Sequence, residues 1–267
     1  MLVPISSLDD PRVSGFAEVR ERDLVRRQGR FIAEGKVVLD VLTARAPERV
    51  LAVLLSERRL ASAAPLVARL PSETPVYVVS QDLMDGLVGF SIHRGILALA
   101  ERGPDRDARE LVAGARVVVG LIGLSNHDNV GGVFRSAAAF GADAVLFDEA
   151  TCDPLYRKSI RVSVGGALLV PFARCGSAHA MLDLFEEAGF EVIGLSPHGE
   201  LEIDALHETG RRALLVGAEG PGLAPDVLAR VRRVRIGMAP GFDSLNVAVA
   251  CGIALHAVTR ASRPRLA

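Results

Sequence analysis

The chain has 267 residues, about half of them apolar (49%) and a quarter charged (24%), which is the balance of a folded globular protein and excludes a disordered one. Its formal net charge of −1 gives no overall attraction to nucleic acid, although all but Lys36 and Lys158 of its 31 basic residues are arginine, whose planar fork suits phosphate. No apolar run is long enough to span a bilayer, the opening MLVPISSLDDPRVSG has no basic segment followed by an apolar one, and three scattered cysteines give neither a disulfide framework nor a Cys-x-x-Cys metal pair. A cytoplasmic protein without membrane or metal partners is expected.

In chain order, FIAEG (31–35), RVLAVLLS (49–56), PVYVVS (75–80) and GILALAE (95–101) read as strands. Helical patterns lie between them over 36–44, 57–70 and up to Val88, which makes a small βαβ-type α/β domain over residues 1–104. The polar, Pro-containing stretch ERGPDRDARE follows, and residues 105–111 are expected to be a linker. From 112 to 267 the strand candidates are 115–122, 143–149, 167–173, 190–196, 212–218 and 232–238. Their continuous Val/Leu/Ile runs predict a parallel sheet covered on both faces, and Ser244–Thr259 a last helix.

Ligands of parallel α/β sheets sit beyond the carboxyl ends of the strands. In the loop after 115–122, Asn129, Gly131 and Gly132 precede an apolar helix. Asp128 or Asn129 is a natural cap there, and Arg135 in the first turn would oppose the helix dipole unless an anion compensates. Gly217-Ala218-Glu219-Gly220-Pro221-Gly222 has no basic residue and does not follow a nucleotide-binding order, so it reads first as a tight turn. In the third loop Ser244 occupies a cap position. Asn246 interrupts an otherwise apolar helix, where a buried amide must find partners.

Arg157, Lys158 and Arg161 cluster at helical spacing, either as a solvated face or as contacts to a phosphate backbone. Arg20, Arg22, Arg26, Arg27 and Arg30, interleaved with Glu18, Glu21 and Asp23, read as a solvated face. His127 has no nucleophile partner in a recognisable motif.

Taken together and in this order, the three loops resemble the motifs of the SpoU (TrmH-type) RNA ribose 2′-O-methyltransferases of the SPOUT superfamily. They are Asn129-x-Gly131-x-x-x-Arg135, Gly217 to Leu223, and Ile236-Gly237-Met238 followed by Asp243-Ser244-Leu245-Asn246. FIAEGKVVLDVL and RGILALAE resemble that family's ribosomal-protein-like substrate-binding domain. The resemblance implies a C-terminal parallel-sheet domain with a trefoil knot, S-adenosylmethionine as cofactor, a homodimer, and a ribose of ribosomal or transfer RNA as substrate. It implies cofactor contacts at Gly217, Ile236, Leu245, Leu195, Ala218 and Met238, and functional polar roles for Asn129, Arg135, Glu219, Ser244 and Asn246. A nicotinamide enzyme would need a G-x-G-x-x-G turn that is absent. A non-catalytic RNA-binding protein and a base-methylating relative are the alternatives; Arg135 favours ribose.

Overall fold

The computed structural model describes residues 2–17, 21–89, 92, 94–206, 210–242 and 244–259. Asp243, Arg20 and Glu18 lie outside them. The first elements are β1 (Leu2–Pro4), α1 (Glu21–Arg26), β2 (Arg30–Glu34), α2 (Lys36–Arg45), β3 (Val50–Ser56), α3 (Leu60–Val67), β4 (Val76–Val79), α4 (Gln81–Val88) and β5 (Ile96–Glu101). Then come α5 (Ala108–Ala113), β6 (Val117–Leu121), α6 (His127–Phe140), β7 (Ala144–Phe147), α7 (Arg157–Val162), α8 (Gly166–Leu169) and β8 (Phe172–Arg174). The chain continues with α9 (Ala178–Glu187), β9 (Glu191–Leu195), β10 (Leu201–Glu202), β11 (Arg212–Val216), α10 (Pro225–Leu228), β12 (Arg232–Arg235) and α11 (Val247–Thr259).

Two compact units result: residues 1–104 with 155–169, and residues 105–154 with 170–267. The expected boundaries differ at two places. Asp107 Oδ1 accepts from the N–H groups of Arg109 (2.7 Å) and Glu110 (3.1 Å), so most of the expected linker is the capped helix α5. Residues 155–169, expected in the C-terminal domain, belong to the first unit. Arg157 Nε donates to Glu34 Oε2 at 2.9 Å and Arg161 lies 3.4 Å from the same oxygen, with the Glu34 side chain only 4% exposed. A buried carboxylate must be paired, and these are its partners. Arg157 and Arg161 therefore help hold the first unit together by pairing with its buried carboxylate. Lys158 beside them is exposed.

Among the described residues the first unit has a five-stranded sheet in the order β1-β4-β3-β5-β2. β1, β4 and β3 run parallel, while β5 is antiparallel to β3 and β2. The sheet is thus mixed, where a βαβ-type scheme was expected.

The second unit is built on a seven-stranded sheet, β10-β12-β9-β11-β6-β7-β8, parallel throughout. All residues of β6 and β11 are buried, as the apolar residues that make up all of both strands but Arg212 predict. Phe185 and Met181 of α9 press on this sheet so closely that a Cβ on Gly120 would stand 2.7 Å from the Met181 sulfur. Each such fully buried side chain contributes ~1.5–3 kcal/mol. The expected strand 167–173 shrinks to Phe172–Arg174. Ser163 Oγ accepts from Ala167 N–H (3.2 Å) and starts a helical turn, and Pro171 has no N–H to give a ladder.

Candidate functional site

The chain leaves β6, moves outward through β7 and β8, and returns to the other side of β6, where β11 lies between β9 and β6. That reversal places the loops after β6 and β11 side by side, with the Ala218 methyl 3.4 Å from where a Cβ on Gly123 would stand. Asp148, buried after β7, fixes the first of these loops. Its carboxylate accepts from Gly123 N–H (3.1 Å), Thr151 N–H (2.8 Å) and Thr151 Oγ1 (2.7 Å), while Thr151 Oγ1 accepts from Leu124 N–H (3.1 Å). These two residues went unnoticed in the sequence, although Asp-x-x-Thr directly after a strand is a turn signature.

Helix α6 starts earlier than expected. Asn126 is its cap, accepting from Asp128 N–H at 2.8 Å, so neither Asp128 nor Asn129 caps it. Arg135 therefore stands in the third turn, and the expected conflict with the helix dipole does not arise. Its side chain is exposed and makes no ion pair among the described residues. Gly132 serves packing: a Cβ there would lie 2.6 Å from that of Ala248 on α11.

The third loop also departs from expectation. Asn246, not Ser244, caps α11: its Oδ1 accepts from Ala248 N–H (2.9 Å) and Val249 N–H (3.3 Å). Asn246 is exposed, where burial inside a helix was expected, because the helix begins only after it. Its Nδ2 donates to Oδ1 of Asn129 at 2.8 Å. Asn129 is 3% exposed, and its own Nδ2 has no hydrogen-bond partner among the described residues.

A cavity of about 400 Å³ opens beyond the ends of β9, β11 and β12, within the ~300–1,000 Å³ usual for small-molecule sites. Leu195, Gly217, Ala218, Ile236, Met238 and Leu245 line it, as do Glu219, Ser244 and Asn246. Asn129 reaches it through Asn246, and Arg135 is not part of its lining. The glycine-rich turn is held shut by Gly222 N–H donating to Ala218 O at 3.0 Å. A Cβ on Gly217 would lie 2.4 Å from Leu223 N, so only glycine admits this approach of two backbones. The tight turn expected from the sequence is here also a wall of the cavity. A mostly apolar pocket lined also by one carboxylate (Glu219), two hydroxyls (Ser196 and Ser244) and one carboxamide (Asn246) can hold a flat, partly polar molecule.

No helix among the described residues is long and apolar enough to cross a membrane, and no group of three or more His, Cys, Asp or Glu among them is placed to hold a metal ion.

Residues 116–256 match the model of the SpoU rRNA methylase family. The chain is 42% identical over 263 residues, 94% of its length and 90% of the relative's, to an uncharacterized tRNA/rRNA methyltransferase of Mycobacterium bovis. In structure it resembles an rRNA methyltransferase of Sinorhizobium meliloti crystallised with AdoMet bound (TM-score 0.80, 22% identity, 98% of this chain and 99% of the other). It also resembles an RNA 2′-O ribose methyltransferase (TM-score 0.78, 26% identity, 97% and 98%).

Proposed function

Because the chain belongs to the SpoU rRNA methylase family, a class of S-adenosylmethionine-dependent RNA methyltransferases, we propose that it methylates a ribose 2′-hydroxyl of a structured ribosomal or transfer RNA. The observation that carries the reading is the convergence of the loops after β9, β11 and β12 on one cavity, with the cap of α11 tied to Asn129 of α6. The 26% identical neighbour, itself a ribose 2′-O-methyltransferase by name, supports the choice of ribose.

The residues present fit the cofactor. The pinched backbone at Gly217 and the apolar side chains of Leu195, Ile236, Met238 and Leu245 form a wall for an adenine and its ribose, with Ala218 beside them. Bound there, S-adenosylmethionine supplies an electrophilic sulfonium methyl. Glu219 and Ser244 at the rim offer an acceptor and a hydroxyl to a ligand amine or sugar. Asn246 and Asn129 form a rigid amide pair beside them, since the Asn246 oxygen is committed to the helix and its nitrogen to Asn129. Arg135 is assigned to a phosphate of the substrate and to charge developing on the 2′-oxygen. With a pKa above ~12 it is a poor general base. Positioning of hydroxyl and methyl in line is the main source of rate in this scheme.

The same reading makes the second unit a knotted SPOUT domain. The insertion of β11 between β6 and β9 and the return of α11 onto α6 support it. It also makes the enzyme a cytoplasmic homodimer. Val249 and Ile253 (52% and 38% exposed) stand four residues apart on one face of α11, and exposed apolar side chains so placed call for a partner surface. The first unit is assigned to substrate binding. Digestion to nucleosides of RNA methylated by the pure enzyme, followed by mass spectrometry, tests the proposal. Label on a ribose supports it, and label on a base overturns it.

A further inference from the structure

The first unit carries a group of polar residues that methyl transfer leaves unused. It lies where β2, β5 and β3 end side by side: Gly35 N–H donates to Ile96 O at 2.9 Å, and Ser56 N–H to Gly95 O at 3.0 Å. Helix α2 begins at this corner, ten residues long, with no side chain capping it and no acidic residue in its first turn. Its hydrogen-bond ladder opens with Leu39 N–H to Gly35 O, so the N–H groups of residues 36–38 precede it. A helix start of this kind attracts anions and repels cations.

Cations nevertheless gather there. Lys36 is exposed at the first helical position. The Arg94 side chain lies across Gly35, its Cδ 2.8 Å and its Nη1 3.0 Å from where a Cβ would stand. The Arg59 side chain lies across Gly95 in the same way, at 3.1 Å. The neighbouring carboxylate, Glu34, is buried and engaged by Arg157 and Arg161. Ser56 supplies an independent observation. It is 1% exposed, its Oγ has no hydrogen-bond partner among the described residues, and that oxygen faces Gly95 at the foot of Arg59. Buried hydroxyls are almost always paired. An uncapped helix start, the cations Lys36 and Arg94 and an unpaired hydroxyl share one missing component, an anion rich in oxygen acceptors.

We propose that this corner is a phosphate site that grips the sugar–phosphate backbone of the RNA substrate, with Lys36 and Arg94 as its charged contacts. It rests on RNA being the substrate, and is independent of which atom is methylated. The test is fluorescence anisotropy of the full-length protein with a labelled RNA hairpin over a salt series. The double variant Lys36→Gln, Arg94→Gln is expected to bind at least ~10-fold more weakly and to lower the slope of log affinity against log salt by roughly 1.4–1.8, two phosphates' worth. Its thermal midpoint and its calorimetric affinity for S-adenosylmethionine should match wild type. Arg45→Gln, at the far end of α2, should change neither affinity nor slope. A double variant with wild-type affinity and slope overturns the site, as does equal weakening by Arg45→Gln. A wild-type protein that binds no RNA at any salt overturns the RNA reading itself.

Discussion

Asn246 donates its amide hydrogen to Asn129 at 2.8 Å while its oxygen receives the first N–H groups of α11. One side chain therefore ends a helix, joins two helices and faces the cavity. Asn246→Ala should cost about 1–2 kcal/mol, the worth of a lost cap plus a lost hydrogen bond. In a urea double-mutant cycle with Asn129→Ala the pair should show a coupling of about 0.5–1.5 kcal/mol. Strict additivity would mean that the two amides do not act together.

Arg135 contributes nothing visible to the stability of α6, being exposed and outside the cavity. Arg135→Ala is expected to lower methyl transfer at least ~100-fold, or about 2.7 kcal/mol of barrier. Cofactor affinity by calorimetry should stay as in wild type. Unchanged turnover would remove the arginine from the reaction.

At Gly217 a single methyl group is the probe. Its carbon would stand 2.4 Å from Leu223 N, so Gly217→Ala must push the turn open. Strain of this kind costs about 1–3 kcal/mol, and cofactor affinity should fall ~10-fold or more. A variant that binds the cofactor normally would show that the pinch is dispensable.

Arg157→Ala leaves the buried Glu34 with only the longer contact to Arg161. A loss of about 2–3 kcal/mol in unfolding free energy is expected. If stability in urea is unchanged while RNA affinity drops, Arg157 is an RNA contact after all.

Burial pushes the Cys251 thiol up from 9.0 to about 12. The folded state therefore keeps a proton that the unfolded state releases above pH 9. This contribution to stability is complete below pH 9 and is lost as the pH rises toward 12. Urea midpoints of wild type and Cys251→Ala should run parallel below pH 9, and wild type should fall faster above it.

The sheet of the second unit was legible because buried parallel strands are rich in Val and Leu without polar alternation, as Val117–Leu121 and Ala213–Val216 are. β1 was not, since three residues ending in proline at a sheet edge carry no periodicity. The sign of β5 against β3 was also hidden, because pairing direction depends on connections and not on composition. At the site, residue types were readable but their duties were not. Asn126, Asn129 and Asn246 are all plausible caps by type; only the backbone tells that the first and third are caps and the second is buried between helices. The pairing of Glu34 with Arg157 leaves no local trace, as 123 residues separate them.

That separation also has a consequence in time. The first unit is not one continuous stretch of chain, and the carboxylate it buries receives its guanidinium partners only after β6, α6 and β7 have been made. At ~5–20 residues per second on the ribosome, Glu34 waits roughly 6–25 s for Arg157. A nascent chain stopped at Pro104 thus ends with an unneutralised acid where its interior should close. The first unit can close only after residues 105–154 of the second have been made, and the second is completed later still.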